Sequence, residues 1–431
     1  MPSPSPSSSL PPSPPSSSSS GLRIRPFRAV RYARAAAGDL SRVVCPPYDD
    51  QRPAHALALR RRPHHLARLL YSARPEEASR QLARWLERGV LIRDARPALY
   101  VYEQRADGEL LQRGVIGELD LTPPVAGSVP ILPHEGVREH VVDRRTAHLA
   151  GLRAQLEQLL LGYRAPGPPP TEILERVTAG PPLATARDGG LTHALWACTD
   201  PADQALVAAH PARGRALIAD GHHRYAACLR LAARQPHGPW GRTLALLVDQ
   251  ETHPLRLSAV HRVVPALDAE KAVAAAAEVA RVRALPGGPR PPGAGEIVLA
   301  GGGGAWSVTE PRPRALTRAL SGHPAAWRAL PTAVADHLLL ELAWSVPDLP
   351  GAVHHVHDAR LATGSVAAPG NGVAVLLPTM DEPTVRTLAE TGVLLPRKST
   401  SFGPKPVAGL VLRLPEPVPV PSRTRGGASA G

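Results

Sequence analysis

One stretch constrains the chain more than any other: Arg215 to Ala232. Arg215 to Ala219 is a short apolar run of strand length and Asp220-Gly221 breaks it. Tyr225, Cys228, Leu229 and Ala232 then repeat at i, i+3, i+4 and i+7, the spacing of one helix face. A strand, a sharp turn and a helix in immediate succession put Asp220, Gly221, His222, His223 and Arg224 at a helix start. Backbone N–H groups and the positive end of the helix dipole converge there, so two histidines and an arginine point to an anion, phosphate above all. The same residues also permit a plain structural role, with Asp220 capping the helix and the histidines bonding locally.

Charge alone suggests a different partner. Lys and Arg total 50 against 37 Asp and Glu, a formal net charge of +13, which raises nucleic acid as a ligand. The arginines, however, are spread along the chain, with Arg60-Arg61-Arg62 the one dense run, and few aromatics stand between them to stack bases. An Arg-rich solvated surface accounts for the charge, and nucleic acid is not the expected partner. Lysine occurs only at Lys271, Lys398 and Lys405, and phenylalanine only at Phe27 and Phe402. Against that background Leu394 to Lys405 stands out, because two of the three lysines and one of the two phenylalanines fall inside it. Three cysteines without a C-x-x-C pair imply reduced thiols and a cytoplasmic setting. No apolar run approaches the roughly 20 residues of a membrane span, and the N-terminus lacks a secretory pattern, so no membrane partner is expected.

The order of elements predicts a mixed α/β or α+β fold. A Ser/Pro tail is expected over 1–21, a main domain over 22–265, a smaller C-terminal α+β subdomain over 266–414, and a second tail over 415–431. Helices are expected near 54–70, 75–89, 144–161, 268–281, 331–344 and 382–390. Hairpins are expected about Asp107-Gly108 and Asp188-Gly189-Gly190, and strands over 243–249, 255–264, 296–308 and 373–377. Between them lie several polar groups. Pro46-Pro47-Tyr48-Asp49 is an extended loop whose Tyr48 and Asp49 either face a ligand or lock the loop to the core. Pro133-His134-Glu135-Gly136 presents a histidine and a carboxylate on a proline-braced turn. His261-Arg262 sits on a strand and either joins the site or braces it. His354, His355 and His357 are expected to be surface or packing residues.

These landmarks, in this order, resemble the family known as domain of unknown function 1015. Its pattern reads here as Pro26-Phe27-Arg28, then Val43 or Val44 through Asp49, Pro133-His134-Glu135, Asp143-Arg144, Ala219 to Tyr225, His261-Arg262, and Pro396 to Lys405. Val137, Ser401, Gly403 and Leu395 depart from the family's usual threonine, aromatics and methionine. The D-G-H-H-R run also resembles the signature of the ParB-like and sulfiredoxin fold group, which includes ADP-dependent free serine kinases. That resemblance implies a ParB/sulfiredoxin-like core in which Asp220, Gly221, His222, His223 and Arg224 hold phosphates or a metal and Glu135 is the base.

The resulting expectation is a nucleotide-dependent phosphotransferase acting on a small hydroxylated molecule, with ATP or ADP and Mg²⁺. Glu135, His134 and Asp220 are the candidate catalytic groups, Asp220 doubling as a metal ligand. Gly221, His222, His223, Arg224, Lys398, Ser399, Thr400 and Lys405 are the candidate phosphate contacts. Pro47, Tyr48, Asp49, Arg144, His261 and Arg262 complete the pocket. Two alternatives stay open: a metal-dependent hydrolase using Asp220, His222, His223, His134 and Glu135, and a nucleotide-binding regulator without turnover. The oligomeric state is not legible in the sequence.

Overall fold

The computed structural model describes residues 21–47, 53–121, 129–236, 238–265, 267–349 and 351–415. Tyr48 and Asp49 lie outside the described residues, as do the two expected tails apart from Gly21 and Pro415.

The fold is mixed α/β, built on a main mixed sheet and a separate antiparallel one. Across the nine-stranded main sheet the order is Ile131–Leu132, Arg215–Asp220, Leu159–Arg164, Arg242–Asp249, Glu109–Asp120, Leu99–Ala106, Leu191–Cys198 and Ala184–Asp188, with Ile24–Arg25 pairing to Glu109–Asp120. Two pairings are parallel, 131–132 with 215–220 and 159–164 with 242–249; the rest are antiparallel. Hairpin chemistry explains the antiparallel half. Asp107 and Gly108 both take positive φ, 49° and 85°, the geometry of a two-residue turn matched to strand twist. The central strands Leu159–Arg164 and Arg215–Asp220 are buried on both faces, which is why they read as continuous apolar runs.

The six-stranded second sheet runs Arg281–Ala284, Gly304–Thr309, Ile297–Gly301, Val373–Leu376, His261–Val264 and His354–Val356, all antiparallel. The single strand expected over 255–264 is therefore two. Arg256–Ser258 pairs with Ser401–Gly403, whereas His261–Val264 belongs to the second sheet.

Three expected helices differ. The one foreseen at 54–70 is split into Pro53–Arg61 and Ala67–Leu70, because Pro63 cannot continue a helix and His64 takes φ 56°. The one foreseen at 144–161 runs instead from Glu139 to Leu152, ending where Arg153 turns left-handed at φ 54°. Leu156 and Leu159 are buried, but beyond the helix, Leu159 opening a sheet strand. A leucine-rich run satisfies helical and buried-strand patterns equally, so periodicity alone misplaced it. The helix expected at 331–344 winds as a π-helix over Val334–Ala343. Asp200 caps Pro201–Ala209 as its sequence implies, accepting from the N–H groups of Ala202 and Asp203. Among the described residues no helix is long and apolar enough to cross a membrane.

After the second sheet the chain returns to the first. Residues 395–413 form bridges Leu395 to Glu135, Ala408 to Cys45, Leu412 to Val30 and Arg413 to Gln155. The buried Tyr102 hydroxyl ties down this return, accepting from Val407 N–H at 3.3 Å and meeting His193 Nδ1 at 2.7 Å. Tyr102→Phe strands both groups in the interior and is expected to cost about 1–3 kcal/mol in chemical denaturation. A cost near zero would show that the hydroxyl does not anchor the segment.

Candidate functional site

Strand Arg215–Asp220 ends at Gly221, and helix His222–Arg234 begins at once. Gly221 takes φ 106°, and a Cβ there would stand 2.8 Å from Leu159 Cδ2 and 3.2 Å from the Arg224 guanidinium. The glycine is therefore required both by its backbone angle and by the close approach of Arg224. No side chain caps the first turn. Asp220 turns aside: it accepts a hydrogen bond from Arg224 and lies 3.5 Å from Lys405 Nζ. Arg224 also donates to the carbonyl of Gln158. An uncapped helix start flanked by these two cations is an anion-binding arrangement.

The histidines play a different part from the one their charge suggests. Nε2 of His222 accepts from His134 N–H at 3.3 Å, and Nε2 of His223 accepts from Arg138 N–H at 3.0 Å. Both stitch the loop before helix Glu139–Leu152 to the helix start. Burial holds His222 down to about 4, and burial followed by the charge of Arg145 lowers His223. They are neutral at pH 7, so the positive charge at the turn comes from Arg224 and the lysines.

Loop 133–138 thereby presents Glu135. Its Oε1 accepts from the Thr400 hydroxyl at 3.2 Å and from Thr400 N–H at 3.4 Å. The hydroxyl's one proton is directed to Glu135, so His134 Nε2, 2.8 Å from the same oxygen, is the donor there. A buried imidazole, a hydroxyl and a carboxylate stand in series. His134 is held down to about 3 by burial and by His222 beside it, and its ring packs edge-on to His222 and Phe402.

The structure thus brings together Glu135, His134, Asp220, Gly221, His222, His223, Arg224, Thr400 and Lys405. Lys398 is near enough for its charge to disfavour protonation of His222 and His223. Ser399 is buried; its hydroxyl donates to the Pro396 carbonyl at 2.5 Å and lies 3.0 Å from Thr332 Oγ1, from which it accepts. Pro47 is half-buried beside the Cys45–Ala408 bridge. Arg144 is exposed on its helix, while neighbouring Arg145 pairs with Glu157 at 3.2 Å. Arg145, Glu157, Gln155, His148 and Cys228 line, with Arg224, a cavity of about 30 Å³, room for a water molecule. His261 accepts from Leu377 N–H at 3.2 Å inside the second sheet, and Arg262 is wholly buried beside it. Arg145 and Glu157 were not foreseen. Arg144 was named through the family's Asp143-Arg144 pair, and no motif marks Arg145 or Glu157. Among the described residues no three His, Cys, Asp or Glu side chains are grouped to hold a metal ion. Asp220 offers one carboxylate, here paired with Arg224 and 3.5 Å from Lys405 Nζ; Mg²⁺ can take one or two protein carboxylates and complete its shell with water and phosphate oxygens.

A family model described as "Protein of unknown function (DUF1015)" matches residues 24–333. The chain belongs to this family. The DUF1015 match includes loop 133–138, the D-G-H-H-R turn and His261-Arg262, and ends before Pro396 to Lys405. No curated protein matches significantly. Among solved structures, a free serine kinase in complex with AMP aligns at 14% identity and TM-score 0.37, covering 64% of this chain and 84% of that one. C-terminally truncated SbnI from Staphylococcus aureus aligns at 11% and 0.38, covering 69% and 87%. A conserved hypothetical protein from Pyrococcus furiosus aligns at 13% and 0.35, covering 64% and 87%.

Two outcomes follow from the geometry. Gly221→Ala is expected to destabilise the fold by about 1–3 kcal/mol in denaturant titration and to displace Arg224, since strain and collision act together. On acidification the unfolded chain binds protons near the ordinary histidine value of 6.5, before folded His134 and His222 at about 3 and about 4. Stability is therefore complete above about pH 6.5 and declines as the pH falls towards 4. Thermal midpoints across that range check it, and His134→Gln should flatten part of the decline.

Proposed function

We propose that the chain is a nucleotide-dependent phosphotransferase that phosphorylates a small hydroxylated molecule. One observation carries this reading: the loop that presents Glu135 is bonded through His134 N–H and Arg138 N–H to His222 and His223 of an uncapped helix start, where Arg224 and Lys405 stand beside Asp220. Phosphoryl transfer asks for this combination, because its catalysis is chiefly positioning and charge neutralisation.

In this reading the N–H groups of His222, His223 and Arg224 hold phosphate oxygens, and Arg224 and Lys405 exchange Asp220 for the incoming anion. Asp220 is then available to Mg²⁺, which would neutralise phosphate charge when bound. Glu135 accepts the acceptor's hydroxyl proton as the oxygen bonds to phosphorus and the bond to the leaving phosphate breaks. The His134–Thr400 chain fixes the carboxylate and supplies hydrogen bonds to it. The hydrolase alternative is less well supported, since His222 and His223 both use Nε2 to accept backbone N–H groups.

Isothermal titration with ATP, ADP and CTP, each with Mg²⁺, tests the reading. Micromolar binding is expected for at least one nucleotide, weakened at least tenfold in Arg224→Ala. Glu135→Gln is expected to keep binding and to lose about 10²-fold or more in turnover on a responsive hydroxylated acceptor. No heat with any nucleotide from the folded protein would overturn the proposal. Binding without turnover on any acceptor would support the regulator instead.

A further inference from the structure

The segment that brings Thr400 to Glu135 is held, one residue at a time, by different parts of the molecule. Thr400 is bound to His134 and Glu135 of the loop before helix Glu139–Leu152. Ser399 is bound to Thr332, at the start of the helix leading into Val334–Ala343. The carbonyl of Lys398 accepts from Arg262 Nη1 at 3.0 Å. Lys398 itself takes φ 58°, a left-handed angle uncommon outside glycine, so its backbone direction depends on outside anchorage.

Arg262 is built for that anchorage. Its side chain is wholly buried, and Nε and Nη2 each bond one oxygen of Asp336 at 2.9 Å, a two-pronged pairing that fixes the plane of the guanidinium. The remaining nitrogen spans the carbonyls of Val260 and Lys398. Asp336 stands on the π-wound stretch Val334–Ala343, where consecutive Leu338, Leu339 and Leu340 are all buried while Asp336 remains about a quarter exposed at the core's edge. Such winding is rare and concentrates at functional sites.

Resting on the phosphoryl-transfer reading, we propose that Asp336 and Arg262 are positioning residues: a bracket at the second sheet that holds the backbone of Lys398, two residues before Thr400, so that its side chain serves the phosphate site. Neither touches a substrate. They act through the Lys398 carbonyl, so the placement of that lysine is set by the second sheet and its π-wound helix. Any ligand or partner that shifts this helix shifts the lysine.

The test compares wild type, Arg262→Met/Asp336→Leu, Lys398→Met and the triple variant by nucleotide titration with Mg²⁺. Replacing both charges together avoids leaving one buried and unpaired. The double variant is expected to retain a cooperative thermal transition and to bind nucleotide about tenfold more weakly. The triple variant is expected to bind no more weakly than Lys398→Met alone, because the bracket acts through that side chain. Combined with Lys405→Met, by contrast, its effect should add. A merely structural role would not produce that selective non-additivity. Wild-type binding by the double variant, or full additivity with Lys398→Met, overturns the proposal.

Should the double variant fail to fold, Asp336→Glu keeps the charge pair but displaces the guanidinium, and the same non-additivity is expected. Limited trypsin digestion reads the bracket without nucleotide. Cleavage after Arg397 and Lys398 is expected to accelerate about tenfold when the bracket is removed, and unchanged cleavage overturns it. Absence of nucleotide binding by wild type with accelerated cleavage would instead locate the failure in the phosphoryl-transfer reading.

Discussion

The return of residues 395–413 to the first sheet is the constraint on which the site depends. Closing a loop across the whole second unit has an entropic cost that grows only slowly with length, so a modest set of bonds is enough to hold it. Backbone bridges to Glu135, Cys45, Val30 and Gln155 are joined by side-chain bonds from Gln104 to Lys405 O, Gln158 to Val407 O and Arg413 to Glu118. Without this segment the helix start at His222 keeps Arg224 but loses Lys405, and Glu135 loses the hydroxyl of Thr400. The last segment thereby completes, from the far end of the chain, a cluster built mainly on residues 133–138 and 220–224.

A second consequence concerns the histidines. A turn written His222-His223 invites a reading as positive charge or metal ligand. In the fold each uses Nε2 as an acceptor for a backbone N–H of the loop before Glu139–Leu152, and burial keeps both neutral. Their work is mechanical: they set the position of Glu135 relative to the helix start. Charge beside the turn is carried by the Arg224 guanidinium, which stays protonated in proteins, with Lys405 near the same Asp220.

Much of this was legible beforehand. The strand, turn and helix at 215–234 and both hairpins follow from local rules that hold whatever surrounds them. Gly221 was legible as a turn residue, though its second role, leaving room for the Arg224 guanidinium, depends on a partner the turn does not contain. The run 144–161 was not legible as helix and strand. Its leucines meet two patterns at once, and only the neighbouring strands Arg215–Asp220 and Arg242–Asp249 decide between them. Arg145, Glu157 and Asp336 had no signal, because each acquires meaning from a residue distant in sequence.

By itself the sequence determined the groups on offer: a glycine turn opening a helix with two histidines and an arginine, a carboxylate beside a histidine, and scarce lysines gathered in one late segment. Those depend on residue type and spacing within a few positions, where covalent geometry limits the choices. Which groups meet was decided by the tertiary structure alone. Glu135 and Thr400, Asp220 and Lys405, and Arg262 and the Lys398 carbonyl are each separated by more than a hundred residues, and short-range rules say nothing across that distance. Sheet order, the crossing at Ser258 to His261 and the return of the last segment bring them within bonding range, because burying the strands' apolar faces leaves the chain little other way to close.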